Sequence, residues 1–249
     1  VPILTFLGCA EIALCGAVLI FLVVGRQGKS YWALGSFLAV RAASSIWLLY
    51  LRGAGTRSMG RTSAYRAYFD IYWVSFALET VLAFLILYAL FRMMVGPLVG
   101  LRKVGTLVFR WAAVVSLALA LGTYARDPHA PMALVVAGSQ LQRAQALLSL
   151  VLAAFLCLTG RSLGLSLRSR VVAVSAGLAL MGANVFVQAA WLTSNPESGH
   201  EYNVVNGVVI CAILLIWAAY FALSEPEPGK VAAVGPLRRL NHKCLSWYD

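Results

Sequence analysis

Four ionisable residues stand inside long apolar stretches: Glu11, Arg41, Glu79 and Arg143. A charge near the centre of a bilayer costs at least about 2.5–3.5 kcal/mol on insertion scales. Such a side chain must therefore face the protein interior, a partner or water. Two acids and two bases invite pairing, since a neutral pair escapes most of the penalty of an isolated ion. Arg41 and Glu79 fall deepest in their segments, and we expect them to pair. Glu11 and Arg143 lie closer to one end of theirs. Asp70 and Arg110 sit near segment ends, where long side chains can reach the interface.

Uncharged polar residues extend the set. Gln140 precedes Arg143 by three positions, so the two share a helix face. Asn184 and Gln188 are four apart, and Asn206 lies near the start of the last apolar segment. Tyr72, Phe76 and Glu79 share one face of theirs. Together these residues describe a polar cavity between helices, open to one side of the membrane or enclosed. As a site for a small ligand or ion, its polar parts would meet Glu79, Arg41, Arg143 and Gln140. Its apolar parts would meet Tyr72, Trp73 and Phe76. The competing reading is a hydrogen-bonded network that only fixes helix register, as polar bonds in membrane bundles often do.

The elements that position these residues follow from composition. Of 249 residues, 61% are hydrophobic and 12% charged, against roughly 25% charged in soluble domains. The apolar residues come in blocks. Residues 171–196 and 202–224 contain no Asp, Glu, Lys or Arg. About 20 helical residues cross the hydrocarbon. Seven spans are expected, near 3–24, 30–50, 69–92, 104–124, 132–158, 171–192 and 203–223. The fold class is an all-α integral membrane protein, a seven-transmembrane-helix bundle. The first segment has no basic leader and is expected to be a retained span rather than a cleaved signal.

Basic residues in alternate connectors set the orientation. One side collects Arg26, Lys29, Arg92, Arg102, Lys103, Arg161, Arg168, Arg170, Lys230, Arg238, Arg239 and Lys243. The other has Arg52, Arg57, Arg61, Arg66 and Arg126. The richer side is expected to be cytoplasmic, with the N-terminus outside. The polar set then falls between the midplane and the outer surface. Residues 225–249 read as a basic cytoplasmic tail, either a short interfacial helix or a disordered segment. The formal net charge of +11 is thus membrane topology, and nucleic acid is not an expected partner.

Several chemistries lack their residues. His129, His200 and His242 all lie outside the spans, so no intramembrane haem or metal ligand set is present. No lysine lies in a span interior, which leaves a retinal Schiff base without an amine. No phosphate-binding glycine loop, G-x-S-x-G or H-E-x-x-H occurs. Cys9, Cys15, Cys157, Cys211 and Cys244 form no C-x-x-C and read as small packed side chains. Trp32, Trp47, Trp73, Trp111 and Trp191 lie mostly near span ends, as an aromatic belt does. Ala173, Gly177, Ala179 and Ala183 mark the sixth span for close helix packing.

Tyr68-Phe-Asp-Ile-Tyr-Trp73, Leu-Val-Phe-Arg-Trp at 107–111, Arg161-Ser-Leu-Gly-Leu165 and Leu215-Ile-Trp-Ala-Ala-Tyr220 carry a likeness. With the spacing of spans, they resemble an uncharacterised group of seven-span proteins common in acidobacterial genomes. The resemblance covers most of residues 20–228. It implies a bacterial plasma (inner) membrane and carries over no catalytic residue. A receptor-like or sensory module with bound lipid is the expected function. A structural or accessory subunit of a larger membrane complex and a small-solute transporter are the alternatives; membrane lipids, and another membrane protein or a homo-oligomer, are the expected partners.

Overall fold

Backbone N–H and C=O groups in hydrocarbon must be bonded within their own segment, which leaves helices for chains of this composition. The computed structural model describes residues 2–51, 61–94, 133–159, 169–194 and 199–223, with single positions between 106 and 118. These form α1 (Pro2–Val24), α2 (Trp32–Tyr50), α3 (Arg61–Met94), α4 (Ala133–Thr159), α5 (Arg170–Ser194) and α6 (Gly199–Ala222). All six are long and apolar enough to cross a membrane. There is no strand among the described residues.

Five of the six helices match the expected spans to within a few residues. The third is longer and begins at Arg61. Its first two turns are polar, but they are made of residues that tolerate a helix in water. Arg61 and Arg66 therefore sit on α3 rather than in a connector. The expected fourth span, 104–124, lies outside the described residues except for scattered positions. These are Thr106, Leu107, Arg110, Trp111, Val114, Val115 and Ala118, all helical. The tail at 225–249 also lies outside them.

The helices pack in a ring in chain order, and α6 closes it against α1. One half of the ring is a dry core. It holds Cys15, Val18 and Leu22 of α1, Leu34 and Phe37 of α2, and Ile86, Leu87 and Leu90 of α3. Leu152 and Leu156 of α4, Val174 and Leu178 of α5, and Leu214 and Trp217 of α6 complete it. The other half is polar. From sequence position within each helix, α1, α3, α4 and α6 run from the polar half to the core. α2 and α5 run back.

Local chemistry fixes the core end. The α1–α2 turn is a Schellman closure, with Gln27 N–H bonded to Leu22 C=O at 3.1 Å and Arg26 N–H to Val23 C=O at 3.0 Å. Arg26 takes the left-handed conformation this requires, at φ 53°. The Arg170 guanidinium, from the first turn of α5, donates to the carbonyls of Tyr220 (3.3 Å) and Leu223 (2.7 Å). It supplies the positive charge that the C-terminus of α6 lacks in its own last turn. Phe221 lies beneath it and meets Tyr31 edge-on at 5.2 Å.

Close packing of α5 follows two of the marked small residues. Trp217 is fully buried, and its indole N–H donates to the Ala173 carbonyl at 3.1 Å. Gly177 leaves the space that the ring occupies. One turn on, Gly182 accepts α4 at Ala146 and Ser149. Ala179 and Ala183 are only partly buried.

Candidate functional site

Arg41 sits midway along α2, flanked by small residues that leave its long side chain room to turn inward. Its Nε donates to Glu11 Oε1 of α1 at 2.5 Å. Its Nη1 donates to Glu79 Oε2 of α3 at 2.9 Å. One guanidinium thus joins three helices. The Phe37 ring braces it one turn below, 6.0 Å from Cζ. Ser44 Oγ lies 3.2 Å from Glu79 Oε1 and 2.9 Å from the Arg41 carbonyl, so its single proton serves one or the other. The three charged side chains are each 16–17% exposed. They are withdrawn from the surface but not sealed.

What they face is a cavity of about 300 Å³. Every described helix contributes to its wall. Alongside Glu11, Arg41 and Glu79 stand Ser44, Ser45, Tyr72, Ser75, Phe76 and Thr80, then Gln142 and Gln145 of α4. Asn184 and Gln188 of α5 and Asn203 and Asn206 of α6 complete the polar lining. Asn184 Nδ2 donates to Asn206 Oδ1 at 2.5 Å, and Tyr202 OH to the Asn184 carbonyl at 3.3 Å. These bonds tie α5 to α6 at the cavity wall. Among the described residues, two carboxylates and one guanidinium are the only charges in that wall. Fully ionised, they carry one excess negative charge.

Of the residues expected from sequence, Glu11, Arg41, Tyr72, Glu79, Asn184, Gln188 and Asn206 all line this cavity. Gln140 and Arg143 do not. Both are exposed on the outward face of α4. Arg143 stands ten residues into α4, and the rotation of the helix that turns Gln142 and Gln145 inward turns it out. The expected two neutral pairs are therefore replaced by one arginine held between two acids. Trp73 packs on Phe69, Tyr72 and Phe76 but is not in the cavity wall.

Sequence reasoning missed Gln142, Gln145, Ser44, Ser45, Ser75, Thr80 and Asn203. The face that carries two of them stands out once the rotation of α4 is known. Gln142, Gln145, Ser149, Leu152 and Leu156 recur at helical spacing around buried Ala146. Gln140, Arg143, Leu147 and Val151 form the opposite face. Among the described residues, no group of three or more His, Cys, Asp or Glu could hold a metal ion.

No family model, no curated protein and no solved structure matches this chain.

Proposed function

We propose that the protein is a seven-helix, receptor-like membrane module whose polar cavity binds a small ligand. The observation that carries this reading is the convergence of six helices on one cavity held open around Arg41. A ligand that touches all of the helices can favour one packing of the bundle over another. A network needed only for register would be expected to close on itself, because unfilled space in a membrane bundle forfeits packing contacts.

Two features support the count of seven. α3 and α4 run in the same direction, so residues 95–132 have to return from the core end to the polar end. The described positions between Thr106 and Ala118 are helical, and about 20 helical residues cover the roughly 30 Å involved. On this reading residues 1–224 form the membrane domain, and 225–249 a basic tail beneath it. The resemblance to the acidobacterial seven-span group fits the same proposal, which sets the protein in a bacterial inner membrane. Membrane lipids cover its outer face.

The charge bias between connectors supports a cavity facing outward. Lys29, in the α1–α2 turn, and Glu201, in the first turn of α6, are exposed at opposite ends. In intact cells, a membrane-impermeant maleimide should label Glu201→Cys and leave Lys29→Cys unlabelled until the membrane is opened. The reverse pattern would invert the orientation.

Ligand binding is tested by thermal shift of the purified protein in lipid nanodiscs against a panel of small polar solutes. At least one solute should raise the melting temperature of the wild type. That rise should shrink in Glu79→Gln and persist in Arg143→Gln, whose side chain lies outside the cavity. Equal shifts in all three proteins would remove the site.

A further inference from the structure

We infer that the cavity selects a small organic monocation, an ammonium ion with a short apolar body. This deepens the ligand-site reading and rests on it. Three observations on different residues point the same way.

The first is charge. Glu11 and Glu79 face the cavity with only Arg41 between them, and among the described residues no other carboxylate, guanidinium or amine lines the wall. Arg41 is engaged by carboxylate on two of its nitrogens. The wall therefore has little cationic capacity left for an anion and one negative charge in excess. In a poorly screened site that excess attracts a single positive charge.

The second is the aromatic track. Tyr68, Tyr72 and Phe76 follow one another at four-residue spacing on α3. Their planes differ by 6° and 16°, with centroids 6.5 and 6.3 Å apart. Tyr68 is exposed, and Tyr72 and Phe76 are in the cavity wall. The rings thus lead from the surface to within one turn of Glu79. Ring faces carry negative potential and attract cations, quaternary ammonium ions among them. A neutral polar solute gains nothing comparable from them.

The third is size and the uncharged lining. A cavity of about 300 Å³ is at the small end of ligand pockets, with room for roughly ten waters or a molecule of similar bulk. The carbonyl oxygens of Gln188 and Asn203 can accept from an ammonium N–H.

The test is thiol labelling of the full chain, with its five native cysteines replaced by alanine and a reporter placed at Ser75→Cys in the cavity wall. The protein is held in nanodiscs of zwitterionic lipid. Three methanethiosulfonates are compared: neutral methyl, cationic trimethylammonium-ethyl and anionic sulfonatoethyl. Each rate is divided by that reagent's rate with a free thiol. The cationic reagent should react roughly tenfold faster than the anionic one, as one unscreened charge at this range would give. That ratio should fall toward one in Glu79→Gln and in Glu11→Gln, either of which suffices if the other fails to fold. Millimolar tetramethylammonium should slow the neutral reagent, and tert-butanol should not. A ratio near or below one with rapid neutral labelling overturns the cation selectivity and leaves the cavity standing. Equal protection by tert-butanol does the same. If the neutral reagent does not react at all, the cavity is closed and the ligand-site reading falls with the inference.

Discussion

Replacing Arg41 with methionine should destabilise the protein more than any other single change in the cavity. The substitution leaves Glu11 and Glu79 facing each other in a poorly screened site with no cation between them. Removing one partner of a buried ion pair typically costs about 3–5 kcal/mol, because the remaining charge stays desolvated. Here two charges are stranded, and they also repel. The decisive observation is the rescue. In Arg41→Met/Glu11→Gln/Glu79→Gln the stranded charges are gone, and replacing a whole buried ionic cluster by neutral groups is often nearly free. The triple variant should therefore recover most of the lost melting temperature. Additive losses across the three substitutions would mean that the side chains act independently, contrary to their contacts.

Gly177→Ala should be the second largest effect, at the opposite end of the bundle. A Cβ there would stand 2.4 Å from Trp217 Nε1 and 2.9 Å from Ile213 Cγ2. Trp217 has no room to retreat, since it is fully buried and bonded to the Ala173 carbonyl. Overpacking of this kind typically costs about 1–3 kcal/mol. The loss should be smaller in the Trp217→Leu background, where the clashing ring is absent. Thermal unfolding of the four proteins in nanodiscs gives the coupling directly. Zero coupling would show that α5 and α6 do not meet through this pair.

The energetic rule for charge in hydrocarbon made the charged centre of the cavity legible in the sequence. It singled out Glu11, Arg41 and Glu79, and the structure joins all three. Helical spacing then placed Tyr72 and Phe76 with Glu79, and Asn184 with Gln188. The rotation of α4 was not legible. A membrane helix is apolar on most of its circumference, so the usual contrast between a wet face and a buried one is weak. Arg143 drew attention because it is charged, yet the rotation of α4 turns it outward. Gln142 and Gln145 face the cavity and carry no charge to advertise it. The arrangement of two acids on one base was also beyond the sequence, because pairing depends on which helices are neighbours. The ring order, closed by α6 on α1, supplies that.

The space around Arg41 is an open polar cavity rather than a sealed structural joint. A side-chain-resolution map of the protein in lipid nanodiscs tests it most directly. Arg41 should be held between Glu11 and Glu79, with density for ordered water or a bound solute between them, Tyr72 and Asn206. Side chains meeting in that volume with no room for water, or Arg41 turned outward to lipid, would contradict it.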